Sequence, residues 1–317
     1  MKIVVLDGYT LNPGDLDWSP LEQLGPCDIY DRTPKDKIVE RARGAPILLT
    51  NKVPLDEQVI GQLPDLNYIG VLATGFNVVD VSAATAKGIP VTNVPEYGTN
   101  SVAQMVFAHI LNIAQQVALH SAGVRSLKWS EQKDFCYWET PLVELYQKKL
   151  GIIGFGRIGK VVAHIGRAFG MQILVYDPHA EDMSENEKVE FDYLIANSDV
   201  ISLHAPLTEE TKHLIDNETL GRMKKSAILI NCSRGQLVDE SALYHALKQE
   251  QIAAAGADVL SQEPPDNDNL LLKAQNCYIT PHIAWATVEA RKRLLDTVVE
   301  NIKAFLRQQP QNVVNKV

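Results

Sequence analysis

The sequence predicts an α/β protein of two Rossmann-like domains, each built on a parallel sheet. Three observations carry that expectation. Short apolar runs alternate with helix-length amphipathic segments, and the runs are apolar throughout, as strands are when helices cover both sheet faces. The stretch 149–177 reads as strand, glycine turn, helix, strand and acidic residue. At 317 residues the chain is also longer than one ordinary core organises.

From the N-terminus, residues 2–6, 47–50, 68–73 and 90–94 are expected strands, with helices at 35–43, 55–63 and 79–87. The turn after the first run, Asp7-Gly8-Tyr9-Thr10, lacks a glycine fingerprint, so this half is not where a dinucleotide is expected. Between 100 and about 120, Val102, Met105, Val106, Ile110, Ile113 and Val117 recur at helical spacing and predict one long helix. Residues 121–147 hold Trp129, Phe135, Tyr137 and Trp138 among polar neighbours and read as an irregular arm. So many aromatics outside regular structure imply a subunit contact.

The stretch 149–177 supplies the strongest single pattern. An apolar run at 150–155 meets Gly154, Gly156 and Gly159, a helix follows from Arg157 to about Phe169, and a second run ends on Asp177. The first glycine permits the tight turn, the second lets backbone approach a pyrophosphate, and the third lets helix and strand pack closely. The helix N-terminus offers N–H groups to phosphate. Asp177 accepts from a ribose 2′-hydroxyl and repels a 2′-phosphate, which selects NAD over NADP. Beyond it, strands are expected at 200–204, 227–231, 253–259 and 277–280 and helices at 191–197, 217–223 and 241–249. A final amphipathic helix at 287–307 carries Val288, Leu294, Leu295, Val298, Ile302 and Phe305.

Composition narrows the setting. A net charge of −9 without a basic stripe excludes nucleic acid as an expected partner, and no apolar run has the length of a membrane span. The opening MKIVVLDG reads as a strand, not a secretory signal, and four cysteines without paired spacing fit reduced thiols in a cytoplasm. The eight histidines show no metal spacing and no G-x-S-x-G elbow occurs, so neither a metal nor a serine nucleophile is expected.

His204, Arg234, Asp258, Glu263 and His282 fall at the carboxyl ends of expected strands, where open α/β sheets bind ligands. Hydride transfer to a carbonyl needs a cation for a carboxylate substrate, which arginine's planar fork suits, and a proton donor, usually histidine. A carboxylate beside that histidine fixes its tautomer. Plainer readings stand beside these: Arg234 bridging surface carboxylates, Glu263 shaping the turn before Pro264-Pro265, and His204 or His282 packing at strand ends. Cys232 lacks a local base and reads as a wall of the cofactor site, while Trp138 and Trp285 read as packing residues.

The segments NCSRGQLVDE (231–240), DVLSQEPP (258–265) and TPHIAWAT (280–287), together with GFGRIG (154–159), resemble signatures of the D-isomer-specific 2-hydroxyacid dehydrogenases. The resemblance spans nearly the whole chain. It implies that Arg234 grips the substrate, His282 is the acid/base and Glu263 its partner. It also implies cofactor contacts at Thr74, Arg157, Ile158, Asp177, Cys232, Ser233, Arg234, Asp258 and His282, with His204 beside them, and backbone N–H groups of Ala73, Thr74 and Gly75 on the substrate carboxylate. The implied architecture is a substrate-binding domain of residues 1–98 plus 288–317, a dinucleotide-binding domain of 99–287, and an active site in the cleft between them.

Within that family VLATGFNVVD (71–80), TNVPEYGTNSVAQMV (92–106), DFCYWE (134–139) and HIAWAT (282–287) look most like glycerate dehydrogenases, also called hydroxypyruvate reductases. Gln104 replaces the family's usual Glu, and Ala284 stands where many relatives have glycine. The resemblance implies reduction of hydroxypyruvate, with glyoxylate next, by a cytoplasmic homodimer. D-lactate or phosphoglycerate dehydrogenases share the machinery, and an NAD-sensing binding protein shares the fold.

Overall fold

In the computed structural model, which describes residues 1–180 and 187–317, the chain forms two units. One comprises Met1–Gly98 and Trp285–Val317, the other Thr99–Ala284. The first begins β1 (Ile3–Val5), α1 (Ser19–Glu22), β2 (Cys27–Ile29), α2 (Ile38–Ala42), β3 (Ile47–Thr50), α3 (Glu57–Gly61), β4 (Tyr68–Val71), α4 (Val81–Ala86) and β5 (Val91–Thr92). Its sheet runs β2-β1-β3-β4-β5 with parallel pairing throughout. This is a doubly wound order, and its switch point lies between β1 and β3.

The second unit comprises α5 (Thr99–Gln115), α6 (Val117–Arg125), β6 (Lys149–Ile153), α7 (Arg157–Ala168), β7 (Gln172–Tyr176), β8 (Glu187–Lys188), α8 (Phe191–Asn197), β9 (Val200–Leu203), α9 (Asn217–Arg222), β10 (Ile228–Asn231), α10 (Glu240–Lys248), β11 (Ala254–Ala257) and β12 (Cys277–Ile279). A long helix, α11 (Val288–Leu306), then returns to the first unit. The second sheet runs β12-β11-β10-β9-β6-β7-β8, again all parallel. That is Rossmann order extended by one strand, with its switch point between β6 and β9.

The unbroken apolar runs have a direct physical cause, because each strand feeds two cores. In β10, Ile228 and Ile230 pack on the α5–α7 side while Leu229 packs on the α8–α10 side. In the first unit Val4, Leu48 and Ile69 face α2–α4, and Ile3, Val5, Ile47 and Leu49 face the apolar stripe of α11. Each such side chain contributes roughly 1.5–3 kcal/mol on burial, so no strand face tolerates a polar residue cheaply. Five helix starts carry a side-chain cap: Asp56, Asp80, Asp216, Asp239 and Thr287 each accept the N–H three residues on.

The expected single helix over 100–120 is corrected. It breaks at Gln116, which has a left-handed backbone (φ 47°), and α5 and α6 diverge by 52°. The Gln116 amide nitrogen donates to the Tyr278 hydroxyl on β12 at 2.5 Å, diverting the chain off the sheet. Val117, on the apolar stripe in sequence, is therefore 68% exposed. Residues 121–125, expected irregular, continue α6; beyond them the segment to β6 has no helix or strand. The expected helix at 35–43 opens with a 3₁₀ turn, Lys35–Lys37, before α2. Short β2, β8 and α1 were not expected, since none carries an apolar run. Among the described residues no single helix is long and apolar enough to cross a membrane.

Candidate active site

The carboxyl edge of the second sheet gathers most of the polar residues singled out above. At the switch point, β6 is followed by Gly154, whose φ of +90° suits glycine and whose N–H donates to the Tyr176 carbonyl at 2.9 Å. A Cβ there would overlap the His204 backbone, and one on Gly159 would overlap the Gly154 carbonyl. Gly156 differs: it N-caps α7 without a side-chain cap, and a Cβ there would meet nothing within 4 Å. Arg157 and Ile158 form the first turn of that helix. Asp177, just past β7, accepts the N–H of Phe155 at 2.7 Å and of His179 at 2.8 Å, which ties it to the glycine loop. Open space above a glycine at a helix N-terminus, with a carboxylate on the next strand, fits the pyrophosphate and ribose of a dinucleotide.

Three adjacent strands carry the remaining chemistry. Arg234 follows β10, Glu263 follows β11 and His282 follows β12. Glu263 Oε2 lies 2.5 Å from His282 Nδ1, and its other oxygen accepts the Leu260 N–H at 3.0 Å. A carboxylate only accepts, so Nδ1 carries the proton and Nε2 is the outward nitrogen. His282 has a φ of +54°, unusual outside glycine and a hallmark of backbone held by its surroundings. Its N–H donates to the Asp258 carbonyl, and the next two N–H groups donate to the Asp258 carboxylate at 2.9 and 2.8 Å.

The Arg234 loop is fixed to the Glu263 loop by close approach. A Cβ on Gly235 would overlap the Leu260 carbonyl, and the Gln236 amide donates to the Ser261 carbonyl at 2.8 Å. Asn231 accepts the Ser233 N–H and donates to the Arg234 carbonyl, while the Ser233 hydroxyl donates to the Ala205 carbonyl. The Arg234 guanidinium itself is exposed, with one bond to the Ser233 carbonyl at 2.7 Å. Arg234, His282 and Glu263 thus share one sheet edge with the glycine loop.

The family model described as "D-isomer specific 2-hydroxyacid dehydrogenase, NAD binding domain" matches residues 107–284. The chain belongs to the D-isomer-specific 2-hydroxyacid dehydrogenases. Among similar proteins, the hydroxypyruvate reductase of Blautia hydrogenotrophica is 50% identical and covers 100% of both chains. The glycerate dehydrogenase of Methylorubrum extorquens is 44% identical over 88% of each. The structure of D-lactate dehydrogenase from Aquifex aeolicus complexed with NAD and lactic acid superposes with a TM-score of 0.82 at 30% identity, covering 100% of both chains. As a member of this family, the protein is an NAD-dependent oxidoreductase.

Other residues that the family resemblance implied have distinct surroundings. Asp258 is 1% exposed, and its carboxylate already carries three protein donors: the two amides above and the Thr280 hydroxyl at 2.6 Å. It therefore braces the His282 loop from within. Cys232 is buried, and burial, reinforced by Asp258, pushes its thiol far above the ordinary cysteine range; such a thiol is inert as a nucleophile. In the first unit, Ala73, Thr74 and Gly75 follow β4; the Thr74 hydroxyl donates to the Val94 carbonyl at 2.8 Å and Asn93 donates to the Thr74 carbonyl at 2.7 Å. Sequence reasoning missed His109 and Thr280, which hydrogen-bond at 3.1 Å. The available signal was a histidine between Phe107 and Ile110 on the apolar stripe of α5.

His204 follows β9 beside the glycine loop, half-buried, with Nε2 2.8 Å from the Ser202 hydroxyl. Burial lowers its pKa to about 4 from an ordinary 6.5, so the dehydrogenase holds it neutral. A histidine with a depressed folded pKa contributes stability that is complete above the unfolded value and lost as pH falls through the folded one. Wild type should therefore lose stability relative to His204→Gln as pH falls from 7 to 4, followed by urea unfolding at fixed ionic strength; a pH-independent difference would contradict this.

Proposed function

We propose that the enzyme catalyses NADH-dependent reduction of hydroxypyruvate to D-glycerate, with glyoxylate as a second substrate. What supports this most is the alignment of Arg234, Glu263 and His282 on three adjacent strand ends, with the 2.5 Å Glu263–His282 bond at its centre. Bound NADH, held by the 154–159 loop, Asp177 and the strand-end residues near His204, Cys232, Ser233 and Asp258, supplies the hydride. Arg234 grips the substrate carboxylate and keto oxygen, and it stabilises the charge that develops on that oxygen. His282 Nε2 delivers the proton to the same oxygen while Glu263 keeps Nδ1–H fixed and balances the imidazolium. Backbone N–H groups of Ala73, Thr74 and Gly75 are proposed as further contacts to the substrate carboxylate, in keeping with a substrate-binding role for the first unit and a dinucleotide-binding role for the second. Thr74 is also proposed as a cofactor contact.

Substrate choice is favoured by the hydroxypyruvate reductase and glycerate dehydrogenase names of similar full-length proteins. Preference for NADH over NADPH follows from Asp177, whose carboxylate repels a 2′-phosphate. A panel of hydroxypyruvate, glyoxylate, pyruvate and 3-phosphohydroxypyruvate against NADH and NADPH, read at the nicotinamide absorbance, tests the assignment. Hydroxypyruvate with NADH should give the highest kcat/KM. A preference for pyruvate or the phosphorylated acid would move the enzyme to a sister activity, and NADH binding without turnover would leave only a sensor. His282→Ala should lower kcat by roughly a hundredfold or more, and Arg234→Ala should impair keto-acid use far more than NADH binding.

The working form is proposed to be a cytoplasmic homodimer. Phe135 is 90% exposed, Trp138 66% and Leu127 62%, all on the segment after α6, and apolar groups this large seldom face water together. The four cysteines are free, in keeping with a reducing compartment. Sedimentation of the enzyme from the cytosolic fraction should give twice the 35.1 kDa chain mass. A monomer there, or recovery only with membranes, would contradict the assignment.

A further inference from the structure

His282 owes its conformation to Asp258 on two sides. The Asp258 carbonyl takes the His282 N–H, and the Asp258 carboxylate takes the N–H groups of Ile283 and Ala284. The acid/base imidazole is thus carried on a loop whose left-handed residue is set by one buried carboxylate. The third donor to that carboxylate is the Thr280 hydroxyl, at 2.6 Å from Oδ1. A hydroxyl has one proton, and here Asp258 receives it, so any partner of Thr280 Oγ1 must donate.

That partner is His109 on α5, whose Nε2 lies 3.1 Å from Thr280 Oγ1. Its Nε2–H is therefore the donor. His109 is 4% exposed and lies so close to β11 that a Cβ on Gly256 would crowd its ring. Burial outweighs the pull of Asp258 and holds the imidazole below its usual pKa, in keeping with a neutral donor. No other role for a buried histidine is evident on this apolar helix face, where Val106, Phe107 and Ile110 do the packing.

We infer that His109 is a positioning residue for catalysis: the chain His109–Thr280–Asp258 orients the Asp258 carboxylate, and through it the loop that presents His282. His109 touches neither substrate nor cofactor in this role. The inference rests on His282 being the acid/base. A displacement of the imidazole by a fraction of an ångström weakens proton delivery without altering how the substrate is gripped, so the effect belongs in kcat and not in KM.

The test is steady-state kinetics on the full enzyme with hydroxypyruvate and NADH. His109→Leu, which keeps the bulk and loses the donor, should lower kcat roughly tenfold while KM for the keto acid and the NADH dissociation constant stay within about twofold. His109→Gln, whose side-chain amide can donate from the place of Nε2, should restore most of kcat. Thr280→Val should reproduce the Leu effect, and His109→Leu should add nothing in the Thr280→Val background. Wild-type kcat in His109→Leu, equal losses in the Leu and Gln variants, or losses that multiply in the double variant would each overturn the relay. If His109→Leu fails to fold, Thr280→Val decides alone, and full kcat in that variant overturns it. A fully active His282→Ala enzyme would instead remove the acid/base assignment, which separates the two failures.

Discussion

A carboxylate oxygen 2.5 Å from an imidazole nitrogen is the constraint around which the second unit is arranged. Neither group is deeply buried; each side chain keeps 36% of its exposure, so the pair stands open to solvent. Left alone in water, such a pair would be mobile and weak. Here each member is held from behind. Glu263 is anchored by the Leu260 N–H, and the His282 loop is anchored to Asp258 by the N–H groups of His282, Ile283 and Ala284. The side chains stay free to react because the backbone beneath them is not free to move.

Parallel topology makes this possible. Every strand of the second sheet points the same way, so the glycine loop, Asp177, Arg234, Glu263 and His282 all emerge on one edge. The cores beneath are conventional: apolar on both faces of each strand, with α5 and α7 on one side and α8, α9 and α10 on the other. Two carboxylates, Asp258 and Asp7, are admitted to the interior because backbone N–H groups satisfy them. Each is a buried carboxylate closed by backbone N–H groups, the latter by Asn51, Lys52 and Val53. Burial still raises the Asp7 pKa, which marks how much those N–H groups have to offset.

Much of this was legible in the chain. Unbroken apolar runs encode strands covered on both faces, and Gly154 and Gly159 encode the tight strand–turn–helix passage from β6 to α7, because each needs a residue type that few alternatives replace. The pairing of Glu263 with His282 was legible only through family resemblance, since nineteen positions separate them and no local pattern links the two. The break at Gln116 was not legible. Helical spacing continues through Val117, and the chain turns because of a tertiary bond to Tyr278, which periodicity cannot encode. His109 was passed over for a similar reason: its partner lies 171 residues away. Contacts that decide a site's geometry are mostly long-range, whereas sequence pattern reports what is local.

The central claim is that Glu263 fixes the tautomer of His282 so that Nε2 faces the chemistry. Nitrogen-15 spectra of ring-labelled enzyme, with the His282 signals assigned by their loss in a histidine-to-alanine variant, measure this directly. The neutral imidazole should carry its proton on Nδ1, in slow exchange, and that protection should vanish in Glu263→Gln. A proton resident on Nε2, with Nδ1 bare in the wild-type enzyme, would contradict the account.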